Sequence, residues 1–380
     1  MISKNSLPYW MAFAHLPKIR TSKKNQIILD LINNGITLID FFSIENNELK
    51  EVFGLDDNEL IELEKGKLEL ANYSFLIEDL LDQGYSLIPI ISEDYSSTLK
   101  NNLGLNSPIL LYAKGNIDIL KNPSIAIIGS REANLNSIDF TDKIANKAVK
   151  EKKITVSGYA KGVDQQALIS TLKYGGKSII VLPQGITTFS TGYKTYYKEI
   201  IQGSVLVVSI FFPKAPWQKE FAMARNPIIY ALADNIYVAE SSEKGGTWSG
   251  VIDGLRKKRA VYIRIPEIDE KNANNILIDK GGIGVDNYGK KVLDYNNPIS
   301  LTKEKTHKDS NLIIGEKIIE IIGNKSLNLQ QIIIKLDIQI TQEKLRSILK
   351  NNKEIEIIKE KGKNIYRLKS ISKNTQQSLF

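Results

Sequence analysis

Three short runs in the middle of the chain combine glycine with hydroxyl or cationic side chains, and each could hold an anion. In the first run, Gly129, Ser130 and Arg131 follow the apolar residues 124–128. Glycine lets the backbone approach a ligand closely, serine offers a hydroxyl, and arginine offers a fork of charged donors. This combination is typical of a phosphate-binding turn, although the same residues also form simple tight turns and helix caps.

The second run extends from Ser157 to Asp164 and contains two glycines four residues apart, Gly158 and Gly162. This spacing permits a compact loop whose backbone amides point outward and receive an anion. Lys161 adds a positive charge to the loop. Asp164 is expected to cap the helix that follows.

The third run is Arg225 followed by Asn226, early in a helical segment that begins near Phe221. The Arg225 side chain could contact a phosphate or form an ion pair at the surface, because a single arginine in a helix can do either. If this segment lies beside the other two runs, the phosphate contact is favoured.

The elements around these runs predict an α/β fold. Between residues 124 and 290, short runs rich in isoleucine and valine alternate with helical patterns, as expected for strands buried on both faces of a parallel sheet. The sequence therefore predicts a Rossmann-like, doubly wound parallel sheet, in which ligands bind outside the carboxyl ends of the strands. The predicted strands are 124–128, 154–157, 178–182, 204–209, 235–239 and 260–265, and the helices between them include 138–150, 164–172, 221–232 and 248–257.

Smaller domains are predicted on both sides of this sheet. Short amphipathic pieces broken by glycine predict a helical domain of SAM or helix-hairpin-helix type at 1–75, ahead of an extended Rossmann-like domain at 76–295. After a lysine-rich linker, three helical segments and a β-hairpin pattern predict a winged helix at 312–370. Residues 371–380 are expected to form a flexible tail.

Composition limits the possible classes of function. The chain has 380 residues, a net charge of +8, no cysteine and two histidines, so a cysteine- or histidine-based metal site is not expected. Residues 301–380 hold 16 Lys and Arg against 9 Asp and Glu, whereas the rest of the chain holds 35 against 34. A basic module suggests a polyanionic partner, although a lysine-rich composition alone gives the same excess. Without an apolar run long enough for a membrane span or a signal peptide, a cytoplasmic location is expected.

The three runs, in this order, resemble the DprA/Smf (DNA-processing protein A) family. The resemblance covers roughly residues 75–285, and the flanking helical and winged-helix segments agree with the layout of that family. The positions that match are Gly129, Ser130 and Arg131 in the first run, Ser157, Gly158, Ala160, Gly162, Asp164 and Ala167 in the second, and Pro213, Pro216, Phe221, Arg225 and Asn226 in the third.

The resemblance implies a protein that is not an enzyme and needs no cofactor. It implies single-stranded DNA held along a basic groove of the Rossmann-like domain, a homodimer, and transfer of the DNA to a RecA-type recombinase, as in natural transformation. By position, Ser130, Arg131, Lys161, Gly162 and Arg225 would line the groove. The wider set of candidate phosphate-binding residues adds Gly129, Ser157, Gly158 and Asn226.

Several positions depart from the family pattern. Leu168 stands where the family usually has histidine, Pro227 where it has a second arginine, and Glu267 where it has glycine. Gly246-Thr247-Trp248 replaces the usual Gly-Ser-Leu. Loss of a cation at Pro227 is expected to weaken phosphate binding, and a related role in defence or mobile-element biology is open.

Two other classes of function stay open. A nucleotide N-glycosidase of the lysine-decarboxylase-like (LOG) group uses an arginine and a Gly-Gly-x-Gly-Thr loop followed by a catalytic glutamate. Here Gly245, Gly246 and Thr247 lack that carboxylate, so only Glu240 or Glu243 could replace it. Alternatively, the winged helix would read duplex DNA while the Rossmann-like domain senses a nucleotide.

Overall fold

The structure is a computed structural model that describes residues 3–292 and, further on, residues 314, 317–323, 325–336, 342–352, 354–360 and 363–369. It divides into two compact units, Met1–Leu293 and Asp294–Phe380. The expected tail at 371–380 and the predicted linker, around residues 296–311, lie outside the described residues. Within the described part of the chain, no helix is both long and apolar enough to cross a membrane.

The first unit begins with six helices that pack against the start of a sheet. Two of the helices begin at reciprocal capping boxes, at Thr37 and at Asp56. The Asn25 side chain donates hydrogen bonds to the Leu105 and Ser107 carbonyls, at 2.7 and 2.8 Å, and so ties the helices to the segment before strand β2. The helices are α1 (Leu7–His15), α2 (Thr21–Asn33), α3 (Leu38–Phe41), α4 (Asn46–Phe53), α5 (Asp57–Leu68) and α6 (Leu70–Asp82). The domain boundary predicted between residues 75 and 76 falls inside α6.

A nine-stranded sheet forms the centre of the first unit. Its order is β1-β2-β6-β5-β4-β3-β7-β8-β9, with the strands from β6 to β9 parallel and β1 and β2 antiparallel at one edge. The strands are β1 (Tyr85–Pro89), β2 (Leu110–Lys114), β3 (Ser124–Gly129), β4 (Ile154–Ser157), β5 (Ser178–Val181), β6 (Val205–Ser209), β7 (Asn235–Glu240), β8 (Val261–Arg264) and β9 (Ile283–Val285). The predicted Rossmann-like α/β class is confirmed.

Helices cover both faces of the sheet. The helices that follow the first strands are α7 (Ser97–Leu103), α8 (Leu135–Lys150), α9 (Val163–Lys173), α10 (Ser190–Thr195), α11 (Tyr197–Ile201), α12 (Lys219–Ala231), α13 (Gly246–Arg256) and α14 (Asn274–Asp279). One apolar core joins Leu168 of α9 and Ile200 of α11 to Val207 of β6. Another joins Phe140 and Ile144 of α8 to the neighbouring strands.

The order of the strands locates the place where a ligand would bind. From β3 the chain moves through β4, β5 and β6 on one side, and it returns to place β7, β8 and β9 on the other side. The reversal between β3 and β7 opens a crevice at the carboxyl ends of these strands. A register shift between Ile128 and Gly129 ends β3 at this crevice.

The second unit contains helices and a small antiparallel sheet. Helical residues 317–322 (α15) precede β10 (Leu327–Asn328), α16 (Leu329–Leu336), α17 (Gln342–Asn351), β11 (Ile355–Glu360) and β12 (Lys363–Leu368). The strands are ordered β10-β12-β11, and a core that includes Ile332, Leu345 and Tyr366 joins them to the helices. These elements are those a winged helix requires, and the winged-helix assignment itself stays a prediction.

Candidate nucleic-acid interface

The loops that follow β3 and β4 touch each other at Gly162. A Cβ atom at this position would lie 2.3 Å from the Ser130 carbonyl oxygen and 2.8 Å from that of Arg131. Gly162 also has a φ of 79°, which a residue with a side chain rarely adopts. The Val163 amide donates a hydrogen bond to the Ser130 oxygen at 3.2 Å. Only glycine permits this contact, which brings the two predicted phosphate-binding runs together.

The two touching loops each carry a cationic residue. Arg131 and Lys161 lie on the two touching loops, and both side chains are exposed. Neither forms an ion pair with any acid that the structure describes. Beside them, the Ser130 Oγ accepts a hydrogen bond from the Glu132 amide at 3.0 Å and keeps its own O–H to donate.

Asp164 does not cap α9, so that expectation is wrong. Gly162 occupies the cap position, and Asp164 lies in the first turn of the helix with its side chain buried. Its Oδ2 accepts a hydrogen bond from the Gly158 amide at 3.0 Å. Burial raises the pKa of this carboxyl group, while Arg225 and the amides of Gly158 and Ala160 oppose the rise. The loop amide at Gly158 is therefore satisfied inside the protein instead of pointing outward to an anion.

Arg225 lies beneath the same loop. Its side chain is only 3% exposed, and a Cβ atom on Gly158 would lie 1.3 Å from its Nη1. Burial lowers the pKa of Arg225, and the negative charge of Asp164 opposes that effect. The Arg225 Nε and Nη1 atoms have no hydrogen-bond partner among the residues that the structure describes, and neither does the buried Ser157 Oγ. The structure thus places Arg225 and Ser157 on the inner side of the loop, whereas Arg131 and Lys161 face solvent.

The loop after β7 completes the site. The Thr247 hydroxyl donates a hydrogen bond to the Gly129 carbonyl at 3.1 Å, and a Cβ atom on Gly246 would lie 2.6 Å from Asn226 Nδ2. The Tyr230 hydroxyl donates to the Gly246 carbonyl at 3.3 Å. Sequence reasoning did not assign Tyr230 to the site. Its spacing to Arg225 gives no signal, because residues five apart in a helix lie about 140° apart around the axis and do not share a face.

The amino end of α8 is occupied by the protein's own carboxylates. The Glu240 carboxylate accepts hydrogen bonds from the Asn134 amide at 3.1 Å and the Ser137 hydroxyl at 2.8 Å. The Glu270 carboxylate accepts from the Asn136 amide group at 2.6 Å and forms an ion pair with the fully buried Arg264. In a dinucleotide-binding Rossmann fold this helix end receives the pyrophosphate.

Comparisons with known proteins identify relatives of this chain. A profile of the family described as DNA recombination-mediator protein A matches residues 86–294. The DNA processing protein DprA of Streptococcus pneumoniae is 33% identical over 157 residues, which are 41% of this chain and 55% of that protein. DprA of Bacillus subtilis is 26% identical over 182 residues, or 48% of this chain and 61% of that protein. The chain thus spans little more than half the length of these relatives.

A solved structure shares the fold. The crystal structure of DprA from Streptococcus pneumoniae matches with a TM-score of 0.58 and 22% identity, covering 75% of this chain and 95% of that chain. The match of the family profile extends over more than half of the chain and includes all three runs of the site. The chain belongs to the DNA recombination-mediator protein A family.

Proposed function

We propose that the protein binds single-stranded DNA at the carboxyl edge of its parallel sheet and passes it, as a homodimer, to a RecA-type recombinase in the cytoplasm. The observation that supports this most directly is the contact between the β3 and β4 loops, because each loop carries an exposed cationic residue, Arg131 on one and Lys161 on the other. Two cations that form no ion pair with a described acid, together with the Ser130 hydroxyl, fit the phosphates of a nucleic-acid backbone.

Arg225 has a supporting role in this proposal. A guanidinium that is 3% exposed and lies under Gly158 does not reach a strand on the surface in the described conformation. It packs against Gly158 from beneath and offsets the charge of the buried Asp164. Direct phosphate contacts are therefore assigned to Arg131, Lys161 and Ser130.

The proposal includes no catalytic step. A glycosidase needs a carboxyl group free to act beside the scissile bond. Glu240 is held by Asn134 and Ser137, and Asp164 is held by the Gly158 amide. The carboxylates at the start of α8 likewise disfavour a nucleotide-sensing Rossmann domain, because they fill the usual phosphate position.

Fluorescence anisotropy with labelled single- and double-stranded oligonucleotides across a salt series tests the proposal. The variant Arg131→Gln/Lys161→Gln removes both exposed cations, and Lys280→Gln/Lys290→Gln serves as a control, because these lysines are also exposed and form no ion pair with a described acid. We expect preferential binding of the single strand. The site variant should lower the slope of log K against log salt by about 1.4, which is about 0.7 for each lost phosphate contact.

Two results would contradict the proposal. Binding of duplex alone, unchanged in Arg131→Gln/Lys161→Gln, would move recognition to the second unit. If the wild-type protein bound neither single-stranded nor double-stranded DNA, the proposed function would be wrong.

A further inference from the structure

Helix α6 presents an aromatic ring and a group of acids on the side that faces away from the sheet. Its inner side carries Ile77 and Leu80, which are buried in the core beside the sheet. Its exposed residues recur at 71, 72, 75, 78, 79 and 82, which is the spacing of a single helix face. Phe75 is 73% exposed on that face, and three exposed acids occupy the two turns that follow it. We call Phe75, Glu78, Asp79 and Asp82 the α6 face.

The charge of the α6 face is negative and concentrated. No ion pair joins its three acids to a lysine or arginine in the described part of the chain. The Asp79 carboxylate accepts a hydrogen bond from the neutral side chain of Gln83 at 2.8 Å. Residues 45–82 hold 12 Asp and Glu against 3 Lys, although the whole chain has a net charge of +8. This surface therefore repels polyanions and attracts cationic groups.

A cavity of about 610 Å³ borders the α6 face, between α6 and the start of α1. Pro8 and Leu81 are among the apolar residues of its walls. Glu78 and Asp82, which lie one helical turn apart, add two carboxylates, and Lys4 is the only cation among the described residues of the lining. The volume lies within the range of about 300–1,000 Å³ that is usual for ligand clefts. The cavity can therefore receive an apolar side chain together with a cationic group.

Exposed apolar side chains continue from the α6 face onto α5. Leu68, the last residue of α5, is 82% exposed, and Ile61, seven residues before it, is exposed on the same side of that helix. Only Glu69 separates α5 from α6. A single exposed apolar residue is ordinary in a globular protein, whereas three along two joined helices, with acids among them, are typical of an interaction surface.

The charge of this surface decides which kind of partner suits it. A nucleic acid or an anionic membrane would meet the acids with like charge. A second copy of the chain, docked by the same face in a symmetric dimer, would place the two sets of acids against each other. A protein with lysine or arginine beside apolar side chains meets both features of the surface. Phe75 and Asp82 are about 10 Å apart along the helix, so complementary groups must repeat over the same length, as they do on an amphipathic helix.

We infer that the α6 face and its adjoining cavity form a docking site for a basic amphipathic helix of a partner protein. Apolar side chains of that helix enter the cavity and pack against Phe75, and its lysines or arginines pair with Glu78 and Asp82. In this mode of binding a few buried apolar anchors supply most of the affinity, and the flanking charges fix the orientation. The inference does not depend on the proposed DNA binding, and it assigns the N-terminal helices to the recognition of a protein.

Fluorescence anisotropy with a labelled basic peptide and the full-length protein tests the inference. The probe is two copies of the heptad Leu-Lys-Lys-Leu-Leu-Lys-Leu, and the control probe has glutamate in place of every lysine. We expect the wild-type protein to bind the basic peptide and not the acidic one. Phe75→Ala should weaken binding of the basic peptide by about 5- to 30-fold. Tyr288→Ala is the matched control, because Tyr288 is 66% exposed but follows β9 at the opposite edge of the sheet from β1.

The acids are tested by Glu78→Gln/Asp82→Gln, with Glu45→Gln/Glu48→Gln as the control. The control acids are also exposed and form no ion pair with a described cation, and their replacement changes the net charge by the same amount. The α6 variant should weaken peptide binding by about 3- to 10-fold at low salt, relative to the control. The difference should disappear at high salt, because salt screens exposed charges.

Several results would overturn the inference. One is that the wild-type protein does not bind the basic peptide, and another is that Phe75→Ala binds it as tightly as Tyr288→Ala does. If Phe75→Ala lost affinity for the labelled single-stranded oligonucleotide (dT)20, the face would belong to a DNA site instead. If Phe75→Ala changed only the mass of the protein in sedimentation, the face would be a contact between copies. Urea unfolding midpoints identify a variant that has lost its fold, and Glu78→Gln/Asp82→Gln against its control then decides.

Discussion

Gly162 gives the sharpest test of how the site is built, because one added methyl group should disturb both the fold and the binding of DNA. In Gly162→Ala the new Cβ atom would lie 2.3 and 2.8 Å from two backbone oxygens, those of Ser130 and Arg131. Backbone atoms cannot rotate away as a flexible side chain can. The β3 loop must therefore move away from the β4 loop, or Gly162 must leave its φ of 79°.

The size of the effect follows from two contributions. A residue forced into an unfavourable backbone region costs about 1–3 kcal/mol, and overpacking in a tight site costs about 1–3 kcal/mol more. Gly175→Ala is the matched control, since Gly175 has a similar φ of 74° but no heavy atom within 4 Å of its added Cβ. The free energy of unfolding of Gly175→Ala should fall by only about 1–2 kcal/mol. This variant has the unfavourable backbone conformation, but its new Cβ atom meets no backbone oxygen of another loop.

Urea unfolding of the two variants gives the difference in the free energy of unfolding, and anisotropy with (dT)20 gives the affinity. We expect Gly162→Ala to be less stable than Gly175→Ala by about 1–3 kcal/mol and to bind (dT)20 more weakly at equal folded fraction. Equal unfolding free energies would refute the close contact between the loops. A destabilised Gly162→Ala that binds (dT)20 like the wild-type protein would show that the contact is structural only.

Two further predictions concern buried charges. Burial lowers the pKa of His15 to about 4, so the unfolded state takes up a proton first as the pH falls below 6.5. Between pH 7 and pH 5 the wild-type protein should lose about 2 kcal/mol of unfolding free energy that His15→Gln keeps, and equal losses in urea titrations would contradict this. Glu270→Gln leaves the buried Arg264 without its counter-charge and should cost about 3–5 kcal/mol, whereas the exposed Glu267→Gln should change the unfolding midpoint little.

The sheet was predictable from the sequence because its strands are buried on both faces. Residues 124–128 and 154–157 are short runs of isoleucine, valine and alanine with small hydroxyl residues, and they correspond to β3 and β4 within one residue. Strand β9 has only three residues, with Gly284 at its centre, and sits at the edge of the sheet, so it lacks the apolar signal. Helix α1 lies inside the helical domain predicted at 1–75, but its bounds were not predictable, because nearly all its residues are apolar and show no helical stripe.

The sequence predicts which residues belong to the site, but it does not predict which of their side chains are buried and which are exposed. Glycine spacing and the family resemblance identify Gly129, Gly158 and Gly162 as places of close approach. They cannot say what approaches, since a glycine before an anion and a glycine above a buried guanidinium look alike in sequence. The contact between Gly158 and Arg225 depends on the packing of α12 beneath the β4 loop, which is set by residues far apart in the chain.

Pro227, which replaces the second arginine of the family pattern, changes both the hydrogen bonding and the charge of α12. Proline inside α12 has no amide to donate to the Met223 carbonyl, so it frees that carbonyl at the same time as it removes a cation. Pro227 is exposed, whereas Arg225, two residues before it, is buried. The α12 surface therefore offers a strand less positive charge than the family pattern implies.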